Sequence, residues 1–301
     1  MQLFDWLARG IRPEAVPETA KCDFTAFESR AEVPESMLES QYLWEQQFEA
    51  ALAKRKAPGR AVRGLCTVCG RDDALFDFTK AEEPPTNWRE TLACRPCRLI
   101  NRWRSCIALL RSHTTGMENP NIYLTEAVTP LAQWFSSHFD HVTKSEYFGE
   151  DVPRGSKHPL GGTTVDHQDV TDLSYEDASF THVVTLDVLE HVPSYESALQ
   201  QFYRVLQPSG TLVISVPFLI KCDETLVRAR INSQGETEHL CEPEYHGDPM
   251  SKEGVLCYYH FGWDILDTLR SIGFREATVR VVWDPAKGFL GVGQSFITAV
   301  R

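Results

Sequence analysis

Residues 180–218 read FTHVVTLDVLEHVPSYESALQQFYRVLQPSGTLVISVPF, and the order of signals in this run decides the fold. His182 to Leu186 is a short valine-rich apolar run between a polar turn and an acidic residue, the composition of a strand buried on both faces. Asp187-Val-Leu-Glu-His191 leaves that strand. From Ser194, a residue able to cap a helix start, Leu199, Phe202, Tyr203, Val205 and Leu206 recur at helical spacing. Pro208-Ser-Gly210 stops the helix, and Thr211 to Val216 reads as a second buried strand. Strand, acidic loop, helix, turn and strand make one crossover unit, so the sheet is expected to be parallel.

The same alternation extends to both sides. Upstream, Ile122 to Thr125 reads as a strand, Pro130 to Phe139 as a helix and Val142 to Tyr147 as a strand. Asp151 to Gly162, rich in Pro, Gly and charge, reads as a loop. Downstream, Trp263 to Ile272 is a helix closed by Gly273, and Ala277–Trp283 and Gln294–Val300 are expected as a final antiparallel pair. Residues 219–262 form a long insertion holding His239, His246 and His260 among several aromatics, and loops of this length beside an α/β site are commonly functional. Its Glu244-Tyr-His-Gly-Asp248 stretch could help wall an acceptor pocket in which Tyr245 or His246 orients or deprotonates a nucleophile; the competing expectation is plain packing.

Ahead of residue 113 the chain changes character. Residues 1–60 look helical, with Leu3, Phe4, Trp6 and Leu7 in a short amphipathic segment. A firmer helix spans about Glu35 to Arg55, either packed on the main domain or serving as a lid. Cys66-Thr-Val-Cys69 and Cys94-Arg-Pro-Cys97 are separated by 24 residues. Two such knuckles supply four soft ligands for a tetrahedral zinc, and a shell closed by four cysteines is structural rather than catalytic. Asp72–Phe78 and Trp88–Ala93 are the expected ribbon strands, within a unit of residues 61–112. Leu99 to Ser112 then forms a helix carrying Arg102, Arg104 and Arg111.

Composition narrows the classes further. The chain has 301 residues, 42% of them hydrophobic, enough for one sizeable domain and a smaller one. No run approaches the ~20 apolar residues of a membrane span, and the N-terminus lacks the order of a signal peptide, so a cytoplasmic location is expected. A net charge of −12 argues against a general nucleic-acid surface. Oligomeric state has no signature in the chain.

The run 180–218, which opens F-x-x-V-x-x-x-D-V-L-E-H-V, resembles the post-cofactor half of class I S-adenosylmethionine (SAM)-dependent methyltransferases, most nearly the group with quinone-biosynthesis enzymes. The resemblance spans about residues 119–301. It implies a Rossmann-like α/β sheet over 113–301 that transfers the methyl of SAM to an oxygen or nitrogen of a small molecule. Asp169, Leu173, Tyr175, Asp177, Ser179 and Phe180 match the family's D-x-x-x-L-x-[FY]-x-D-x-S-F signature, which implies that Asp169 and the Val170 amide meet adenine. Glu146, beside Tyr147, stands where the family's ribose-binding acid ends strand two. Arg104 is the candidate partner for the cofactor's carboxylate.

One departure is large. The family's first turn is glycine-rich, whereas Thr125-Glu126-Ala-Val-Thr-Pro130 has no glycine. Either SAM binds through a turn lined by side chains such as Thr125 and Glu126, or the site has abandoned it. The turn leaves two other functions open: a SAM-using enzyme that releases methylthioadenosine by attack within SAM, and a non-catalytic zinc-ribbon adaptor. Asp187 is a candidate cofactor contact, and for Asp187, Glu190 and His191 together three roles stand side by side. His191 can be a general base; the trio can hold a divalent ion, as the resemblance to the E-x-x-E-H cluster of quinone O-methyltransferases implies; or it can shape the turn.

Overall fold

A computed structural model describes residues 24–53, 61–78, 86–248 and 251–301. The amphipathic segment expected around Leu3–Leu7 lies outside the described residues. The chain forms two compact units, one comprising Val33–Gly116 with Arg280–Ser295, the other Met117–Val279 with Phe27–Glu32 and Phe296–Arg301.

The first unit follows β1 (Thr25–Phe27) with α1 (Glu35–Ala53), β2 (Ala61–Gly64), β3 (Ala74–Asp77), α2 (Trp88–Thr91), β4 (Ala93–Cys94) and α3 (Asn101–Thr114). β2, β3 and β4 make a small antiparallel sheet. α1 packs through Trp44, which stacks on Phe48 and meets Trp283 edge-on. Its Glu45 carboxylate, shielded in the packing, accepts hydrogen bonds from the Trp283 indole at 2.9 Å and the Gly291 amide at 2.7 Å. Trp88–Thr91 is helical where a ribbon strand was expected. The Asn87 side chain accepts the Glu90 amide and so caps a helical turn, which outweighs the strand propensity of Trp and Thr.

The second unit holds most of one nine-stranded sheet. Its elements are β5 (Asn121–Leu124), α4 (Pro130–His138), β6 (His141–Glu146), β7 (Lys157–Leu160), β8 (Thr163–His167), β9 (Phe180–Leu186), α5 (Tyr195–Val205) and β10 (Leu206–Ser215). The insertion contributes β11 (Leu226–Val227), β12 (Ala229–Ile231), β13 (Thr237–His239), β14 (Tyr245–Asp248), β15 (Ser251–Leu256) and β16 (Tyr259–His260). Then come α6 (Asp264–Ile272), β17 (Glu276–Val281) and β18 (Ser295–Val300). The sheet order is β1-β17-β18-β10-β9-β5-β6-β8-β7.

β10, β9, β5, β6 and β8 run parallel in sequence across the sheet, while β18 and β7 are antiparallel to their neighbours β10 and β8. Ile122, Leu124, Val183, Val184, Leu212, Val213 and Ile214 are all fully buried, as expected for central parallel strands. α5 turns Ala198, Leu199, Phe202 and Val205 into the core, and complete burial of a side chain such as Phe202 contributes about 1.5–3 kcal/mol. This is the Rossmann-like α/β architecture expected from residues 180–218.

Three local expectations differ. Lys157–Leu160 is a strand, because Gly161 and Gly162 both adopt positive φ and turn the chain back onto β8 as a hairpin. Leu206 already pairs with Phe180, so Pro208-Ser-Gly210 lies in a bulge inside β10, with Ser209 at φ 64°. Ser194 occupies the cap position of α5, but its hydroxyl bonds to that of Ser197 at 2.8 Å. Among the described residues no helix is long and apolar enough to cross a membrane.

Candidate functional site

Parallel pairing places the C-terminal ends of β5, β6, β8, β9 and β10 at one sheet edge, where ligands collect in open α/β sheets. The residues leaving those ends are Thr125–Ala127, Glu146–Tyr147, Gln168–Val170, Asp187–His191 and Val216. The glycine-free turn is braced by side chains. Thr125 is tied to β9 through its amide to the Val184 carbonyl (3.2 Å) and its hydroxyl to that of Thr185 (3.0 Å). The Ala127 amide donates to Glu146 Oε1 at 2.8 Å, so one oxygen of this carboxylate holds the turn. Thr129 caps α4 and Pro130 occupies its first turn. Asp169 Oδ1 accepts the amide and hydroxyl of Thr171, shaping the turn that carries Val170. Tyr147 is about half exposed, with its ring against His167.

Asp187 leaves β9 at φ 51°, a left-handed conformation uncommon for a residue with a Cβ, and its amide donates to the Ser215 carbonyl at 2.7 Å. A single 3-10 turn, Leu189–His191, follows. Glu190 is completely buried. The insertion returns to this turn through Tyr258, whose amide donates to the Glu190 carbonyl, and Leu256, whose carbonyl accepts His191 Nδ1 at 2.8 Å. The β14–β15 hairpin thereby brings His246 beside Glu190, with Nδ1 3.8 Å from Oε1; His191 Nε2 lies 3.9 Å from the same oxygen. The two imidazoles meet edge-on, 4.9 Å between centroids.

Behind them stands Glu244. Its carboxylate accepts His246 Nε2 at 2.9 Å and lies 3.2 Å from His260 Nε2 and 3.1 Å from Arg228 Nη2. The bond from His246, aided by His260 and Arg228, holds this carboxyl below the usual range against partial burial. Burial, with the charges of Glu190 and Glu244, pushes the neighbouring Cys257 thiol up to about 11. Of the expected catalytic residues, His191 and His246 are thus brought together. Tyr245 is not: it is 58% exposed, and its neighbour His246 faces the cluster, so strand alternation turns Tyr245 to the other side. Asp187, expected as a cofactor contact and as a member of the trio, does not join that group, its Oδ1 lying 3.5 Å from the Ser215 hydroxyl. Glu244 had a legible signal, since residues two apart in a strand share a face.

In the other unit, Cys66, Cys69, Cys94 and Cys97 converge, all four sulfurs within 4.8 Å of one another. Cys66–Cys97 and Cys69–Cys94 are each 3.9 Å apart. The knuckles are built alike. Four residues after the first cysteine of each, Gly70 and Arg98 donate their amides back to Cys66 and Cys94 at 2.8 and 2.7 Å, both with positive φ. Arg104 does not stand ready for a cofactor carboxylate. Its side chain is fully buried in this unit, donating to the carbonyls of Lys287 (3.2 Å) and Gly288 (2.6 Å) between the rings of Phe76 and Phe289. Burial lowers the guanidinium's pKa, while the charges of the four cysteines hold it up. Position on an arginine-rich helix could not disclose this enclosure.

Residues 126–214, from the first turn to β10, match the family model described as a methyltransferase domain. Among solved structures, a SAM-dependent methyltransferase from Mesorhizobium loti is similar at 16% identity over 64% of this chain and 96% of its own, with a TM-score of 0.41. A SAM-dependent methyltransferase from Methanosarcina mazei is 14% identical over 63% of this chain and 96% of its own, TM-score 0.37. A phosphoethanolamine N-methyltransferase from Haemonchus contortus, bound to phosphomonomethylethanolamine and S-adenosylhomocysteine, is 14% identical over 66% of this chain and 53% of its own, TM-score 0.38. The stretch that matches the methyltransferase-domain model, residues 126–214, lies on the mostly parallel sheet of this Rossmann-like α/β unit.

Proposed function

We propose that the chain transfers the methyl group of SAM to an oxygen or nitrogen of a small-molecule acceptor. The observation that carries this reading is the placement of two different sets of groups at one sheet edge. One set is suited to a nucleoside: the Glu146 carboxylate for the ribose hydroxyls, and Asp169 with the Val170 amide for adenine. Thr125 and Glu126 would line the methionine end in place of a glycine turn, and Tyr147 would flank the ribose. The other set is the imidazole–carboxylate cluster of Glu190, His191, His246 and Glu244, which suits an acceptor that must be oriented and relieved of a proton. SAM supplies an electrophilic methyl. The acceptor's lone pair forms the new bond to that carbon as the carbon–sulfur bond breaks. Its electron pair stays on sulfur, giving S-adenosylhomocysteine, and the acceptor's proton leaves toward the cluster.

The first unit supports a structural zinc. Regular tetrahedral bonds of about 2.3 Å separate ligand sulfurs by about 3.8 Å, and the two observed pairs lie at 3.9 Å. Cys66, Cys69, Cys94 and Cys97 would hold the ion with no open position, leaving it outside the methyl transfer. With a charge of −12 the expected substrate is a small molecule rather than nucleic acid.

Calorimetric titration of the zinc-loaded protein with SAM, followed by mass analysis of the mixture, tests the reading. Binding with SAM left intact until an acceptor is added is the expected result. Glu146→Ala and Asp169→Ala should each weaken binding about tenfold, the loss of one charge-assisted hydrogen bond, while His191→Ala spares binding and lowers turnover. Methylthioadenosine released without an acceptor would replace the reading with intramolecular displacement, which the glycine-free turn also favours. No binding would leave a zinc-ribbon adaptor.

A further inference from the structure

We propose that Glu190, His191 and His246 form a divalent transition-metal site, zinc being the ion its ligands suit best. Hydrogen bonds decide which ring nitrogens carry protons. His191 Nδ1 lies 2.8 Å from the Leu256 carbonyl, an oxygen that can only accept, so this nitrogen is the donor. In the neutral ring Nε2 then carries the lone pair, and it faces Glu190. His246 is arranged the other way round. Its Nε2 donates to the Glu244 carboxylate at 2.9 Å, so Nδ1 carries the lone pair and faces the same Glu190 oxygen. Two imidazole lone pairs and a fully buried carboxylate therefore converge, with nitrogen–oxygen separations of 3.9 and 3.8 Å.

Those separations are too long for hydrogen bonds. They approach the spacing of ligand atoms sharing one cation, and all three donor atoms lie within 4.8 Å of one another. Closing on an ion with bonds of about 2.0–2.1 Å requires only small side-chain adjustments. The outer partners complete the pattern. Metal-bound histidines pass their second N–H to a carbonyl or carboxylate, which fixes ring orientation and raises basicity; Leu256 and Glu244 are such acceptors. Glu244 is itself positioned by Arg228 and His260. Two imidazoles and one carboxylate favour zinc over magnesium or calcium, and a three-ligand site leaves a coordination position for an acceptor atom. Such an ion would lower the pKa of a bound hydroxyl, so the acceptor could ionise without a free histidine base. The ligand set differs from the trio read along the sequence: His246, from the insertion, takes the place of Asp187.

The role at the acceptor rests on the methyl-transfer reading, but the metal does not, and metal counting separates the two. The full-length protein equilibrated with zinc and freed of excess should carry two ions per chain by mass spectrometry, one at the four cysteines and one here. His246→Ala and Glu190→Gln should each reduce the count to one, with an unchanged SAM titration and a retained cooperative thermal transition, lowered only by the loss of the ion's stabilisation, showing that the fold persists. Because the buried Glu190 variant could misfold, Glu244→Gln provides a graded test: it should weaken the second ion about 10–100-fold without abolishing it. Cobalt exchanged into this site should give weak visible bands free of thiolate charge transfer, lost in His246→Ala. One zinc per chain in the unaltered protein, or two in His246→Ala, would overturn the proposal and leave an ion pair of Glu190, His246 and Glu244. Two ions with no SAM binding would sink the methyl-transfer reading alone.

Discussion

The two side-chain clusters of this protein are assembled in opposite ways. The four cysteines come from two short knuckles of the same design, each closed by an amide donating back to its first cysteine. The cluster of Glu190, His191, His246 and Glu244 joins a turn after β9 to a hairpin of the insertion, so local spacing announces each half but not their meeting. A site built from two local turns needs only those turns brought together; one built across elements depends on how those elements are fastened. The first unit also buries the positive charge of Arg104 against the carbonyls of Lys287 and Gly288, whereas the second cluster places two carboxylates around two imidazoles and relies on Arg228 at its rim.

The sharpest way to break the contrast is to deny the cysteines the proposed zinc. Binding to structural zinc sites is worth about 10–16 kcal/mol, so a chelator or Cys94→Ser should abolish the first unit's thermal transition, followed by circular dichroism. An unchanged transition would mean the knuckles hold without metal. Next in size is Arg104→Met. It removes a buried charge from its two carbonyls and from the thiols, and destabilisation of about 3–5 kcal/mol is expected in denaturant unfolding. A change below ~1 kcal/mol would show that the aromatic sandwich of Phe76 and Phe289 suffices. The smallest effect concerns Glu244. Its folded pKa is depressed, so its contribution is fully present above the unfolded value, about 4.3, and is lost as pH falls through the lower folded value. Amide exchange in β14 and β15 should therefore quicken under acid, more so than in β9, and Glu244→Gln should remove that pH dependence.

Much of the frame was legible because central parallel strands are short continuous apolar runs. Residues 122–125, 142–147 and 182–186 could be placed within a residue or two for that reason. The paired C-x-x-C spacing disclosed the cysteines just as directly. What stayed hidden depended on distant partners. Asn87 capping a helix overrode the strand propensity of Trp88, and the enclosure of Arg104 depends on carbonyls at 287 and 288. Tyr245 and His246 looked equally suited to chemistry, and only the strand's alternation separates an exposed ring from one facing Glu190. The double glycine at 161–162 was a hairpin signal outweighed by the loop-like composition around it.

The carbonyls that receive Arg104 also set an order of events during synthesis. They lie 183 and 184 residues farther along the chain. At translation rates of about 5–20 residues per second, the ribosome needs roughly 10–40 seconds after making Arg104 to supply them. The cysteines of this unit therefore leave the ribosome long before the carbonyls that help to close it have been made. The proposed zinc, if captured by the two knuckles during that wait, would shelter their thiols until the unit can close.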